Sequence, residues 1–317
     1  MSFLHFIGID VSKEWFDSCQ HGTAAKPQRF PNSRQGLAAF MTAYAEVLPQ
    51  ALVVLESTGG YENLLVAQLL AEQVAVHRAD PLAAKHFIRS LRLRGKTDAL
   101  DAQGLARYAA ERGDRLPRLS PTTPFQQRLS DLVARRDDLV AMRTQEKQRL
   151  QHPRYANLHT HVLPILTALE EQIQAVDRDI ADTLNTCPTA QKKLAVLTQV
   201  PGVGQQTAAT LLATLPELGA LSRRQVASLA GLAPHPRDSG QSTPYRAVSG
   251  GRHRVRRALF MAAMSARNHA PDLKAFYERL IQNGKKPLLA LTALMRKLIT
   301  ILNAKIRDLV LLEDHGR

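Results

Sequence analysis

A short apolar run near residue 50 constrains the fold more than any other feature of this chain. The run from Ala51 to Leu55 ends in Glu56 and a Ser-Thr-Gly-Gly turn, which is typical of a strand covered on both faces. Residues 3–11, 15–20 and 28–30 have the apolar and aromatic residues of strands, and 74–77 form another short one. Helical patterns over 33–47, 61–72 and 81–93 separate the later strands. The order predicts an α/β fold, with a mixed sheet and helices on its faces.

The charge balance indicates a polyanionic partner. Lys and Arg number 42 against 28 Asp and Glu, which gives a formal charge of +14 and a sequence pI near 10.2. Nucleic acid is the first expectation for such a chain. Cys19 and Cys187 lie far apart without a companion at metal-ligand spacing, so we expect neither a disulfide framework nor a zinc site, and a reducing cytoplasm. We also expect neither a signal peptide nor a membrane span, and hence a soluble protein.

Four acidic residues in the first third are candidates for a metal site. Asp10 interrupts the apolar run of the first strand, and Glu56 ends the fourth. Asp98 and Asp101 share one face at the start of a helix that Thr97 is expected to cap. Each acid alone has an ordinary explanation as a turn, strand-end or capping residue. Together they would converge at one edge of the sheet, where their hard oxygen ligands suit Mg²⁺.

The middle of the chain predicts a boundary and a helical arm. Residues 113–124 are rich in Pro, Thr, Arg and Ser, and two stretches, 126–150 and 165–184, have apolar residues at helical spacing among many charges. Pro153 and Pro164 are expected to break the pattern between them. An antiparallel hairpin within the chain and a coiled coil with another subunit both fit this pattern. We predict domains at 1–115, 116–190 and 191–317, the last mainly helical.

The last third contains two candidate nucleic-acid contacts. Pro201-Gly202-Val203-Gly204 resembles a helix-hairpin-helix turn, whose backbone N–H groups bind a phosphate, although an ordinary glycine turn also fits. A long polar loop from Gly231 onward leads into a basic helix, and such loops are often functional. Composition does not choose among the serines of this loop. Its candidate phosphate contacts are Arg237, Arg246, Arg252, Arg254, Arg256 and Arg257.

Three motifs carry a family resemblance. G-I-D in the first strand, L-E-S-T-G-G after the fourth and K-T-D-A-L-D-A on the later helix resemble the RNase H-like fold of the Holliday-junction resolvase RuvC. More closely, they resemble the "one-ten" (IS110-like) family of insertion-sequence transposases, which includes the Piv DNA invertases. The resemblance implies that Asp10, Glu56, Asp98 and Asp101 form a D-E-D-D tetrad that binds Mg²⁺ or Mn²⁺.

The C-terminal pattern is similar to the second domain of the same family. G-L-A-P is followed by an S-G step and later by S-G-G-R and a helix, and the resemblance implies that Ser239 of the S-G step is a nucleophile that joins covalently to DNA. Gly250 and His253 stand where Lys and Asn are common, which affects the supporting contacts rather than the nucleophile.

The resemblance also implies a DNA transposase or recombinase that works as a dimer or tetramer, in the bacterial cytoplasm at the nucleoid. For some members it implies an RNA guide that pairs with donor and target DNA. One alternative is a metal-dependent, structure-specific endonuclease that uses water as nucleophile. Another is a non-catalytic nucleic-acid-binding protein.

Overall fold

The computed structural model describes residues 3–91, 98–155, 157–234 and 248–315. The chain divides into two compact units, with the boundary between Thr122 and Thr123. The three-part division predicted from the sequence stays a prediction.

The first unit is built on a five-stranded mixed sheet. Its strands are β1 (His5–Val11), β2 (Trp15–Gln20), β3 (Gln28–Pro31), β4 (Ala51–Glu56) and β5 (Ala75–Ala79). Their order in the sheet is β3-β2-β1-β4-β5. The β1–β2 and β2–β3 pairs are antiparallel, whereas β1–β4 and β4–β5 are parallel. The predicted mixed α/β sheet is therefore confirmed.

Helices cover both faces of this sheet. They are α1 (Arg34–Ala43), α2 (Asn63–Ala71), α3 (Pro81–Ser90) and α4 (Asp98–Arg112). Ser33 caps α1 and Asp80 caps α3, each through a side-chain oxygen that accepts a backbone N–H, whereas the expected cap Thr97 lies outside the described residues. Residues of α1 and α2 pack with Ile7 and Ile9 on one face, and residues of α3 and α4 pack with Leu52 and Val54 on the other.

Helix α4 approaches the sheet very closely at Gly8 of β1. A Cβ at this position would lie 2.7 Å from the carbonyl carbon of Leu105, and closer still to backbone atoms of Ala102 and Ala106. All three neighbours belong to α4. Because Gly8 has no side chain, the backbone of α4 packs directly against β1, and the small side chains of Ala102 and Ala106 allow this close contact.

We expect Gly8→Ala to lower the free energy of unfolding by at least about 2 kcal/mol, because its methyl group would overlap helix backbone rather than a movable side chain. Denaturant unfolding followed by circular dichroism measures the change. Gly204→Ala is the matched control, since no atom lies within 4 Å of a Cβ there, and it should cost less than about 1 kcal/mol. A Gly8→Ala protein as stable as the control would contradict this close approach.

The second unit is helical over its described residues. Its helices are α5 (Pro124–Gln151), α6 (His159–Asn185), α7 (Pro188–Thr198), α8 (Gln205–Thr214), α9 (Arg223–Leu229), α10 (His253–His269), α11 (Pro271–Gln282) and α12 (Pro287–His315).

The predicted arm corresponds to α5 and α6, which run antiparallel and pack together. Ion pairs join them, Arg136 to Asp177 at 2.5 Å and Lys147 to Glu170 at 3.1 Å. A coiled coil with another subunit stays a prediction. Pro164 does not break the second helix, as the sequence suggested, but lies inside α6. It is near the helix start, and the backbone carbonyl that loses its partner belongs to the exposed Thr160, where water can reach it.

One helix, α12, is long and apolar enough to cross a membrane by length and composition alone. The sequence-based expectation of no such stretch was therefore too strict. Leu294, Leu298 and Leu302 have no exposed surface and join the core of the second unit, together with residues of α5, α8 and α10. This packing accounts for the apolar residues on the buried side of α12, whereas Leu288, Leu311 and Leu312 are exposed.

Candidate functional site

A row of charged side chains crosses four strands of the first unit. Asp10 of β1 lies directly opposite Asp17 of β2, and Asp17 lies opposite Arg29 of β3. On the other side of β1, Ile9 pairs with Leu55, so Asp10 and Glu56 are the next residues along these two parallel strands. Residues opposite one another project from the same face of a sheet. The four side chains therefore form one row, on the face that α4 covers.

The first turn of α4 adds two carboxylates to this row. Asp98 and Asp101 both lie in that turn, and α4 packs against β1 and β2 through Ala102 and Ala106. Oδ2 of Asp98 accepts a hydrogen bond of 2.9 Å from Nη2 of Arg29. Acidic side chains are favoured at a helix N-terminus, where the backbone N–H groups carry partial positive charge. The four acids that the sequence singled out, Asp10, Glu56, Asp98 and Asp101, thus lie at the same face of the sheet, and we call these four the acid row.

Burial and the negative charges of these acids raise the pKa of Asp10. Burial, followed by repulsion from Asp101, Asp98, Glu56 and Asp17, raises the pKa of Asp10 from 3.8 to about 6. Repulsion of this kind between clustered carboxylates disfavours their charged forms. The ionised row is therefore under electrostatic strain that a bound cation would relieve.

Glu56 is affected in the same direction. Burial, then the charges of Asp101 and Asp80, raise its pKa, and the ammonium group of Lys85 on α3 partly opposes them. The charge of Asp101 thus raises the pKa of both strand-borne acids, Asp10 and Glu56.

Glu62, which the sequence analysis did not single out, organises the loop after β4. Its buried carboxylate accepts hydrogen bonds from the backbone N–H groups of Thr58 and Gly60, at 3.2 and 2.9 Å, and from the Thr58 hydroxyl at 3.0 Å. Burial raises the pKa of Glu62, but these hydrogen bonds outweigh it and the net shift is downward. These hydrogen bonds hold the loop that follows Glu56 in one conformation. In the sequence, the only indication of this role was an acidic residue six positions after the acid that ends β4.

In the second unit, the glycine turn before α8 is a packing feature. Gly202 has φ of +92°, and a Cβ there would lie 2.5 Å from the backbone nitrogen of Ala266 and 2.7 Å from the carbonyl oxygen of Ala262 in α10. Gly204 is exposed and stands at the N-cap of α8. The close approach to α10 explains Gly202 without a ligand, and the helix-hairpin-helix assignment stays a prediction.

The predicted phosphate-binding arginines within the described residues have partners in their own unit. Arg252 makes a bidentate pair with Glu217, with both bonds at 2.6 Å, and lowers the pKa of that carboxyl. Arg254 and Arg257 both pair with Asp137 of α5. Arg256 donates to the carbonyl oxygen of Gly250 at 2.8 Å. Each of these arginines therefore has a structural role whether or not it also binds DNA.

The remaining predictions fall on residues 235–247. Ser239, Arg237 and Arg246 lie outside the described residues. The described residues on either side, Pro234 and Val248, form an isolated antiparallel bridge. Their backbones are thus adjacent where the segment that contains Ser239 begins and ends.

Comparison with known proteins identifies the family. A DEDD transposase model of IS110 matches residues 7–153, and a model described as "Transposase IS116/IS110/IS902 family" matches residues 194–278. The "Pilin gene-inverting protein" of Moraxella lacunata and that of Moraxella bovis are each 30% identical over 312 residues, which cover 96% of both chains.

The chain belongs to the IS110 family of transposases. The "Insertion element IS110 uncharacterized 43.6 kDa protein" of Streptomyces coelicolor is also similar, with 37% identity over 145 residues, which cover 45% of this chain and 35% of that one. The chain is therefore a DNA transposase or recombinase, as the sequence motifs predicted.

The acid row of this transposase has the ligand types that a divalent ion needs, but its side chains do not form a complete coordination site. Within 3–91, 98–155, 157–234 and 248–315, no three His, Cys, Asp or Glu side chains lie close enough to hold a metal together. The fit rests on the donor chemistry, since carboxylate oxygens are the ligands that Mg²⁺ and Mn²⁺ prefer, and on the raised pKa of Asp10.

In EDTA at pH 7, we expect Asp10→Asn to raise the free energy of unfolding by about 1–2 kcal/mol, after allowance for solvent screening. The pKa of Asp10 is higher in the folded chain, at about 6, than its ordinary value of 3.8. Wild type therefore loses stability relative to the variant as the pH rises from about 4 to about 6. Urea unfolding across this pH range measures the difference.

The control for this measurement is Asp114→Asn at an exposed position of the first unit. We expect it to stay within about 0.5 kcal/mol of wild type. A destabilised Asp10→Asn protein at pH 7 without metal would contradict the repulsion assigned to the row.

Proposed function

We propose that this IS110-family transposase cuts and exchanges DNA strands at a divalent-metal centre formed by its acid row, with a serine as nucleophile. The observation that carries the metal centre is the alignment of Asp10 with Glu56 on adjacent strands, under the helix turn that bears Asp98 and Asp101. These four side chains would hold Mg²⁺ or Mn²⁺. The ion, when bound, would neutralise the carboxylates and polarise a phosphodiester.

Ser239 is the proposed nucleophile. Its Oγ forms a bond to phosphorus while the phosphorus–oxygen bond to the leaving strand breaks, and the proton lost by the serine balances the one gained by the leaving oxygen. A serine hydroxyl is a weak nucleophile unless its proton is removed and the developing charge is stabilised. Support comes from the S-G step within a segment that both starts and ends beside the Pro234–Val248 bridge, and from the match of the second family model to residues 194–278.

The partners follow from the same proposal. The named activity of the Moraxella relatives is pilin gene inversion, and we propose that this chain likewise acts on DNA ends as a dimer or tetramer, in the cytoplasm at the nucleoid. We further propose that a guide RNA supplies the sequence readout, so that the protein contacts mainly backbone and shape.

A covalent-adduct assay tests the nucleophile. The protein is incubated with DNA that carries its own element ends, with candidate RNA and Mg²⁺, and the products are separated under denaturing conditions. Ser239→Ala should reduce the protein–DNA adduct at least about 1,000-fold, because the attacking group is removed. Ser242→Ala, a serine of the same loop, is the matched control and should form the adduct normally.

Glu56→Gln should abolish the Mg²⁺-dependent reaction while the protein still binds DNA, because the variant lacks one proposed metal ligand. Wild-type adduct levels in Ser239→Ala would refute the serine assignment. Cleavage that survives Ser239→Ala without an adduct would instead support the endonuclease alternative, in which the acid row activates water. That alternative has one observation in its favour, since all four acids of the row lie within the first unit.

A further inference from the structure

Arg29 is held beside the acid row in a fixed orientation. Its Nε donates to Oδ1 of Asp17 at 3.1 Å and its Nη2 donates to Oδ2 at 2.7 Å, so the pair is bidentate. Asp17 is only 5% exposed. A planar guanidinium that makes two hydrogen bonds to one buried carboxylate has little rotational freedom.

The donors of this guanidinium are only partly used. Arginine carries five N–H donors, of which Nε provides one and Nη2 provides two, to Asp17 and to Asp98 at 2.9 Å. The two N–H groups of Nη1 have no acceptor among the described residues, and the side chain is 52% exposed. Arg29 thus presents two unused donors next to an acid of the proposed metal centre.

The charge of the row creates a need for such a group. A DNA phosphate that approaches Asp10, Glu56 and Asp101 meets several carboxylates of its own sign, so cations beside the row decide whether it can come close. A fixed guanidinium is suited to a phosphate because its N–H groups match the oxygens in direction as well as in charge.

We propose that Arg29 is a phosphate-binding residue of this site, with Nη1 donating to a non-bridging oxygen of the substrate phosphate, and that Asp17 is its positioning residue. The inference rests on the proposed function of the acid row. It gives a functional role to Arg29 and Asp17, which were not among the site residues predicted from the sequence. The competing explanation is that Arg29 only neutralises the buried Asp17.

The experiment compares Arg29→Gln, Arg29→Lys and the double variant Asp17→Asn/Arg29→Gln. The double variant removes the guanidinium without leaving a buried carboxylate unpaired, so it remains informative if Arg29→Gln fails to fold. Arg107→Gln is the matched control, because it removes an arginine from an exposed ion pair with Glu111 on α4 of the same unit.

Two measurements separate the explanations. The first is the salt dependence of affinity for element-end duplex, measured with Ca²⁺ so that the strands stay intact. The second is strand cleavage with Mg²⁺. If Arg29 binds a phosphate, the double variant loses about one unit of the slope of log K against log salt. It also cleaves at least about 100-fold more slowly. Arg29→Lys should restore most of the slope but only part of the cleavage rate.

A double variant with the slope and cleavage rate of wild type would overturn the proposal, and so would a slope change equal to that of Arg107→Gln. Mn²⁺ binding to the double variant, measured by calorimetry, should keep the stoichiometry of wild type, and its loss would also overturn the assignment. If wild type itself cleaves no substrate, the proposed function fails, whereas the difference in slope between Arg29→Gln and Arg107→Gln still tests the phosphate contact.

Discussion

The arrangement of the first unit depends on the contact between the backbone of α4 and β1 at Gly8. A side chain at this position would separate the helix from the sheet, since the nearest atoms are backbone atoms that cannot rotate away. Ala102 and Ala106, on the helix side, have no exposed surface. This contact holds the first turn of α4 over the row that begins with Asp10, so packing at the buried face of the helix determines where its N-terminal acids lie.

Such packing is needed because the carboxylates repel one another. Burial and neighbouring charges raise the pKa of Asp10 and of Glu56, so the ionised row costs stability. Apolar residues on the opposite face, such as Ile7 and Ile9, are fully buried and stabilise the strands that carry the acids. The N-terminus of α4 and the Arg29 guanidinium offset part of the repulsion. A functional site of this kind is destabilising locally and depends on the surrounding core.

The strands and the four acids could be predicted because an acid that ends or interrupts an apolar run is visible in the sequence, as with Asp10 and Glu56. Asp17 and Arg29 were missed because their role depends on pairing across three strands, which no single strand reveals. The short turn after Val11 offered a route, since a tight hairpin fixes its register and counting back from it places Asp17 opposite Asp10. For residues 235–247 the sequence offered no comparable constraint, because a polar stretch without apolar periodicity predicts no position for its side chains.

The arginines of the second unit show why charge in a sequence does not translate directly into DNA contacts. Arg252 pairs with Glu217, and Arg254 and Arg257 share Asp137, so two of these three positive charges are offset by carboxylates. Cations without an acidic partner contribute their full charge to the long-range field. Within the described part of the second unit, Lys285 and Lys286 are exposed and make no ion pair. An arginine near a helix start can therefore serve the fold, so the positive charge of a sequence does not by itself identify the residues that contact DNA.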